Sequence, residues 1–468
     1  MRVPSGLYAI ISDVTGQRIL VTRTPSGASL PFVSLDPGNW SQVAGKEVKG
    51  IERAIRAVEN DTDLRVNLLY RTEWPKGHED VHRVLRVHAF ESVDSELPAT
   101  PHEWADRDIC AEWARPFMAD AVAAFYAVID DHRPRVPWWT PGWTSETVAW
   151  MDDRLAAAGM LRAGRVHQVQ NDWQSIVMRA VTDNGHVYLK ALTPPATQEL
   201  AVLRDVLAPG PHVPFLLGSD QGRGLILMRD VGGVDLSDCG PGDLTPEDIR
   251  EVAVKYARIQ RSTITVAEGI VFDYQLEHMP DLLSSVLDDL PSLLAGYDSA
   301  LLVTAIGRLR KLVPDVARVC RAAGKAGIPA HVVHGDLHGN TAVTPDGPVF
   351  FDWGNAYVSH PFFDVFELQD AIEDSTEAST ADAAITCYLE AWTEYGSIRE
   401  LRRILDLLRP VESLPGMIRG AEVTRNLPAG QSPLRSMPYS PFLPAARAWQ
   451  RGLMRCTRTL PAQIARVR

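Results

Sequence analysis

The stretch from His331 to Asp364, HVVHGDLHGNTAVTPDGPVFFDWGNAYVSHPFFD, constrains this chain more than any other. An apolar run, Ala330-His331-Val332-Val333, delivers a short polar loop, His334-Gly335-Asp336-Leu337-His338. A second apolar run, Val349-Phe350-Phe351, ends on Asp352, sixteen residues after Asp336. Two carboxylates presented at strand ends suit phosphoryl transfer. Asp336 can accept a hydrogen bond from an attacking hydroxyl and take its proton late, while Asp352 can hold the magnesium that neutralises nucleotide phosphates. The blander roles for the same acids are a turn cap and a strand-end cap. The occurrence of both behind apolar runs at this spacing favours chemistry.

The loop resembles the HGDLHxxN catalytic loop of the aminoglycoside phosphotransferase and choline kinase-like family, and Phe351-Asp352-Trp353 resembles that family's metal-binding IDW. The resemblance implies an α+β, bilobal protein-kinase-like fold with a small β-rich N-lobe and a mostly helical C-lobe. It also exposes a departure. The family's metal-binding asparagine follows the catalytic aspartate by five residues, where this chain has Thr341, and Asn340 comes one residue early. Either the loop is shortened and Asn340 reaches the metal, which is the preferred reading, or the Thr341 hydroxyl does so. His334 is expected to hold the loop through its ring nitrogens. His338 divides between shaping an acceptor pocket and packing, and His360-Pro361 reads as a structural turn.

Upstream, Ile176 to Val181 and His186 to Leu192 read as strands joined by Thr182-Asp183-Asn184-Gly185, in which Asn-Gly is a strong hairpin signal. Lys190 stands near the end of the second strand. The chain has 47 basic residues and only seven lysines, so a lysine here is not an arbitrary choice. The stretch resembles a kinase N-lobe, which assigns Lys190 to the α- and β-phosphates of the nucleotide. A helix starting near Thr197 makes Glu199 its candidate partner. The segment Arg165 to Asp172, read as the preceding loop, contains no glycine, so a glycine-rich phosphate cover is absent. Gly224 to Gly233, GLILMRDVGG, resembles the family's MEDLGG hinge, which implies nucleobase hydrogen bonds to backbone from Met228 to Val231.

The clearest amphipathic helical runs beyond the hinge are 249–259, 301–322, 381–395 and 400–408. Asp364, Glu367, Asp370, Glu373, Asp374 and Glu377 recur at steps of three and four, which gives a helix an acidic face. A solvated surface accounts for such a face most simply. Asp364 and Glu367, with His338, are the candidates for recognising an amino-bearing acceptor, as family members recognise aminoglycosides. After Glu422 the chain has no acid, and Arg447, Arg451, Arg455 and Arg458 line one helical face, as ordinary surface or as a docking ridge.

The N-terminal stretch reads as an α+β unit. Tyr8 to Ile11 and Arg18 to Val21 form a hairpin across Val14 to Gln17, Leu64 to Tyr70 and Val81 to Phe90 are further strands, and Lys49 to Asn60 carries Ile51, Ala54, Ile55 and Val58 at helical spacing. The order resembles a Nudix hydrolase domain, with Glu52 to Leu64 as a worn box. Ala57 takes the place of its first glutamate, Asn60 and Asp61 that of its glutamate pair, and Asp63 that of its glycine. So few carboxylates imply packing, binding or regulation rather than diphosphate hydrolysis. The segment His132 to Ser145, with three prolines and three tryptophans, reads as a stiff linker, followed by a helix capped by Thr144 or Ser145.

At 468 residues the chain exceeds a single core, so several domains are expected: a Nudix-like unit over 1–131, a linker over 132–145, a kinase-like N-lobe over 146–233 and a C-lobe over 234–468. A net charge of -12 argues against general nucleic-acid binding. No apolar run approaches the roughly 20 residues of a membrane span, and the N-terminus has too short an apolar core for a secretory signal, so a cytoplasmic location is the default. Cys110, Cys239, Cys320, Cys387 and Cys456 are scattered singly, as reduced packing residues would be. The expected activity is transfer of the γ-phosphate of ATP or GTP, with Mg2+, to a hydroxyl of a small molecule such as a cationic or antibiotic-like metabolite. The rival readings are a catalytically impaired nucleotide-binding or regulatory protein and a kinase of peptide serine or threonine.

Overall fold

The structure, a computed structural model, describes residues 6–34, 50–75, 84–93, 101–107, 113–132, 135–193, 197–207, 209–240, 242–263, 269–293, 299–376 and 378–425. Cys110, Glu377, Cys456 and the arginines at 447, 451, 455 and 458 lie outside them. The described residues fall into two compact units, one within Met1–Thr193 and one within Pro194–Leu427.

The first unit opens with strands β1 (Gly6–Ser12), β2 (Arg18–Thr24), β3 (Gly27–Ser29) and β4 (Phe32–Ser34), then helix α1 (Gly50–Thr62). β5 (Val66–Pro75), β6 (Val84–Ser92) and β7 (His102–Asp106) complete a seven-stranded sheet of order β3-β2-β1-β6-β5, with β4 on β1 and β7 on β2. The expected hairpin is present, with Ser12 opposite Ile19, whereas β1 pairs with β6 in parallel. Ile51, Ala54, Ile55 and Val58 of α1 pack on Leu7, Ala9, Ile11, Leu68 and Phe90, so the helical period found in sequence is the face that closes this core.

The acids of the worn box do not gather. Glu59 is held by Arg165 and by the Val66 amide (3.1 Å), Glu52 pairs with Arg56, and Asp61 lies 3.7 Å from His102.

Helices α2 (Pro116–Ile129) and α3 (Trp143–Ala157) follow. The segment expected as a linker is packed into this unit's interior: Trp138 and Trp139 are buried, Trp139 lies against Tyr70, and the Trp138 indole donates to the Asp172 carbonyl at 2.7 Å. The expected Thr144 or Ser145 cap is corrected. α3 begins at Trp143 after Gly142 in the left-handed region, with no side-chain cap, and the Gly142 amide donates instead to buried Glu91 at 2.7 Å. Burial raises the Glu91 pKa.

β8 (Arg162–Asn171), β9 (Ser175–Thr182) and β10 (Gly185–Leu192) form an antiparallel meander, so Arg165 to Asp172, read as a loop, is mostly strand. Its polar residues have backbone partners in β5. Gln168 accepts from the Leu68 amide (2.8 Å) and donates to the Leu68 carbonyl (3.1 Å), while Asn171 donates to the carbonyls of Leu68 and Leu69. The register of β5 slips between Leu68 and Tyr70, and such a bulge frees the Leu69 carbonyl for this purpose.

The second unit begins with the one-turn helix α4 (Gln198–Ala201), continued by a π-helical stretch to Val206. β11 (Leu216–Asp220) and β12 (Leu225–Arg229) form a hairpin, and β13 (Val234–Asp235) follows after residues 230–233. α5 (Pro246–Arg261) starts at a reciprocal cap between Thr245 and Asp248. β14 (Phe272–Asp273), α6 (Met279–Leu293), α7 (Ser299–Arg310) and α8 (Val313–Gly324) come next. The run 301–322 is therefore two helices, because Pro314 cannot donate within a continuous helix and takes a first-turn position instead.

β15 (His331–Val333), β16 (Thr341–Thr344), β17 (Gly347–Phe350) and β18 (Tyr357–Ser359) carry the segment His331 to Asp364, and α9 (Phe363–Ser375), α10 (Ala378–Glu390), α11 (Ile398–Leu408) and α12 (Leu414–Arg425) close the unit. The run 381–395 is α-helical to Glu390, with a short 3-10 turn at Thr393–Tyr395. β13 pairs with β16 and β16 with β17 in one small sheet, and β14, β18 and β15 form another. Gly233, at φ +73°, makes the first junction possible: a Cβ there would meet the Val343 carbonyl oxygen at 2.2 Å.

Candidate active site

The loop His334 to Asn340 leaves β15 and returns into β16, so both of its ends are held in strands. Asp336 and His338 are exposed at its tip and Leu337 is fully buried beneath it. Gly335 sits at φ +74° with no room for a side chain, since a Cβ would lie 2.7 Å from the Asn355 carbonyl oxygen. Asn355 then donates its side-chain amide to Asp336 Oδ2 at 3.1 Å, which fixes the carboxylate's rotation. Sequence reasoning missed Asn355. Its position three residues after Asp352 was the available signal.

Two acids of α9 hold the loop from below. Asp364 is buried and accepts the amides of His334 (2.7 Å) and Gly335 (3.1 Å), the Tyr256 hydroxyl and the Gln260 amide (3.1 Å). Burial pushes its pKa up to about 6 against those donors. Glu367 accepts the Leu337 and His338 amides, and burial, aided by the nearby charges of Asp364 and Asp336, pushes its pKa up to about 8. The two residues named as acceptor contacts thus face the Asp336 loop from beneath. Asp370 and Glu373 of the same helix are exposed.

His334 is fully buried, its Nε2 lies 2.8 Å from the Phe351 carbonyl, and its ring packs on Trp353. This contact ties the loop to the residue before Asp352. Asp352 adopts the left-handed conformation (φ 61°), an uncommon state for a non-glycine residue that recurs at functional turns. A Cβ on Gly354 would lie 3.4 Å from Glu199 Oε2 and 3.5 Å from Asp352 Oδ1, so the two carboxylates flank one glycine. Glu199 is buried on α4, and its neighbour Gln198 donates to the carbonyls of Gly354 (3.0 Å) and Ala356 (2.9 Å).

Asn340 directs its side-chain nitrogen to the Asp336 carbonyl at 2.6 Å, leaving its amide oxygen as the atom for a cation. Thr341 is buried in β16 and donates to the Leu337 carbonyl at 3.3 Å. Asp352 and the Asn340 oxygen are hard oxygen donors, and few in number. That set fits magnesium, which keeps waters and substrate phosphates as its other ligands. Met228, half-buried, follows the buried residues of β12, and Val231 lies beyond the strand. Lys190 is in the first unit, on β10 opposite Val177, and is 6% exposed.

Residues 165–401 match the family described as the phosphotransferase enzyme family, APH, over half of the chain. The chain belongs to this family. The phosphotransferase therefore has the α+β, protein-kinase-like fold class. No curated protein matches the chain. Among solved structures, the phosphotransferase is similar to a macrolide 2'-phosphotransferase type I (15% identity, 64% of this chain and 95% of that one, TM-score 0.42). It is likewise similar to a choline/ethanolamine kinase family protein from Mesorhizobium loti (18%, 68% and 98%, TM-score 0.42). A third is the ADP-bound aminoglycoside phosphotransferase APH(2'')-Ib (12%, 68% and 98%, TM-score 0.44). No helix among the phosphotransferase's described residues is long and apolar enough to cross a membrane.

Proposed function

We propose that this phosphotransferase moves the γ-phosphate of ATP or GTP onto a hydroxyl of a small molecule. The observation that carries the reading is the geometry at Asp336: an exposed carboxylate, rotationally held by Asn355, on a loop bound at four amides by Asp364 and Glu367. Asp336 would accept the hydrogen bond of an acceptor hydroxyl, align it with the phosphorus and take its proton as the new P–O bond forms and the bond to the leaving nucleoside diphosphate breaks. Asp352 and Asn340 would hold magnesium, which when bound neutralises charge on the β- and γ-phosphates. Lys190 is assigned to the α- and β-phosphates, Glu199 to orienting the phosphate-binding groups, and the backbone from Met228 to Val231 to the nucleobase.

His338, exposed beside Asp336, is the residue of the loop most available to an acceptor. An acceptor with amino groups suits the net charge of -12 and the exposed acids of α9. Residues 1–131 are read as a Nudix-like scaffold, with the box acids Glu52 and Glu59 engaged by arginines rather than offered to a metal.

The test is Asp336→Asn assayed with labelled nucleotide against hydroxylated metabolites and antibiotics. Transfer should fall by roughly 10²- to 10⁴-fold while nucleotide binding survives. Undiminished transfer would remove Asp336 from the role. Product mass spectrometry separates a phosphorylated small molecule from a phosphorylated peptide. Nucleotide binding indifferent to magnesium, with no product from any acceptor, would favour a nucleotide-binding regulator.

A further inference from the structure

The last described helix, α12, sends Arg419 into the interior behind Asp352. Arg419 is 6% exposed, its guanidinium lies over Phe272 at 4.9 Å, and Nη2 donates to the Gly354 carbonyl at 3.1 Å. Its Nε and Nη1 are buried and meet no hydrogen-bond acceptor among the described residues. The one Gly354 carbonyl also accepts Gln198, whose neighbour Glu199 flanks Gly354 together with Asp352. Three elements distant in sequence thus converge on a single peptide: α4, the Asp352 turn and α12.

A buried cation with idle donors is a poor choice for stability alone, since an apolar side chain of similar volume commonly serves as well or better. Its retention at this peptide calls for a gain elsewhere. Gly354 has no side chain with which to fix its own conformation, and Asp352, two residues before it, is in the left-handed region. Orientation of the Asp352 carboxylate therefore depends on what holds the following peptide plane.

We propose that Arg419 is a positioning residue for the metal-bearing turn, and that with Gln198 it latches the Gly354 peptide so that α12 sets the affinity for the magnesium–nucleotide pair. The latch rests on the reading of Asp352 as the metal-holding carboxylate. Arg419 touches neither substrate nor the reacting atoms; it acts through the 352–356 turn.

The experiment compares wild type, Arg419→Met, Arg419→Lys, Gln198→Leu and Asp352→Asn as full chains. Calorimetric binding of ADP is measured with and without magnesium, alongside thermal unfolding. Arg419→Met is expected to unfold at the wild-type temperature or above it, yet to bind ADP about tenfold more weakly in magnesium and unchanged without it. Arg419→Lys should recover part of the loss. Gln198→Leu should show the same magnesium-specific loss, and the double variant less than the product of the two.

Wild-type magnesium–ADP affinity in Arg419→Met overturns the latch. So does an equal loss with and without magnesium, which would mark a general structural defect. If Arg419→Met does not fold, wild-type behaviour of Gln198→Leu and Arg419→Lys overturns it. Indifference of Asp352→Asn to magnesium would instead overturn the metal assignment on which the latch rests.

Discussion

Glu367 offers the sharpest test of how the Asp336 loop is built. Its carboxyl has a pKa of about 8 against an ordinary 4.5, because burial and then the charges of Asp364 and Asp336 disfavour ionisation. The folded chain thus holds this proton more tightly than the unfolded chain does. Between pH 4.5 and 8 the unfolded carboxyl is ionised while the folded one is still protonated, so stability falls as pH rises through this window and levels off above it. At 1.36 kcal/mol for each pH unit, the full window amounts to roughly 5 kcal/mol, and at pH 7 to about 3 kcal/mol, as upper bounds. Glu367→Gln keeps an oxygen for the Leu337 amide and removes the ionisation. Its thermal midpoint should match wild type near pH 4.5 and exceed it by several degrees at pH 8, when both are scanned in parallel across that range. Asp364, at about 6, titrates inside the window in both proteins, so the difference between them isolates Glu367. The rate should respond as well. Above pH 8 the ionised Glu367 adds a second charge close to Asp336 and repels the phosphates, giving wild type an alkaline limb that Glu367→Gln lacks. Parallel stability curves and the same limb in both proteins would refute the reasoning.

Lys190→Ala should reduce nucleotide affinity or turnover by about tenfold or more, as expected for a lost cation at the α- and β-phosphates; an unchanged rate sinks the assignment. Gly335→Ala places a methyl group against the Asn355 carbonyl at a positive φ, a penalty of about 1–2 kcal/mol from the backbone alone. Transfer should fall more than stability does, because the displaced neighbour is the residue that holds Asp336. Activity equal to wild type would show that Asn355 does not position the carboxylate.

What was readable in the sequence followed from local rules. The β9–β10 hairpin announced itself through Asn-Gly, and α1 through the period of its apolar residues. The catalytic segment stood out because it sets two acids behind two apolar runs, which buries the strands and leaves the carboxylates at their ends. What was not readable required partners far along the chain. Arg165 to Asp172 looks like loop because its residues are polar, yet Gln168 and Asn171 are buried against the backbone of β5, about a hundred residues away. The cap of α3 went unrecognised for the same reason, since the carboxylate that receives the Gly142 amide is Glu91, in another strand. Periodicity says which residues share a face and is silent on what that face meets. Asp364 and Glu367 therefore group with Asp370 and Glu373 as one acidic surface in the sequence, although the first pair binds the amides of the loop.

That pair gives the loop a support that does not depend on where its asparagine stands. A loop held by its asparagine would change shape when the spacing changes. Here the shape is imposed from below: Asp364 binds the amides of residues 334 and 335, Glu367 those of 337 and 338, and the residue between the two clamps is Asp336. Tyr256 and Gln260 from α5 fix Asp364 in turn, and Tyr388 from α10 donates to the Gln260 side chain. The backbone of the Asp336 loop is thus held from three helices at amides that any sequence supplies, while Asn355 holds the Asp336 carboxylate and Asn340 adds one further contact, to the Asp336 carbonyl. With Asn340 as a metal ligand, Asn340→Ala should raise the magnesium needed for half-maximal transfer, and transfer should recover at high magnesium because the four amide contacts of the loop remain although the Asn340 contact to the Asp336 carbonyl is lost. Asp364→Asn, which turns an acceptor of several donors into a group with donors of its own, should disorder the loop and abolish transfer at any magnesium concentration.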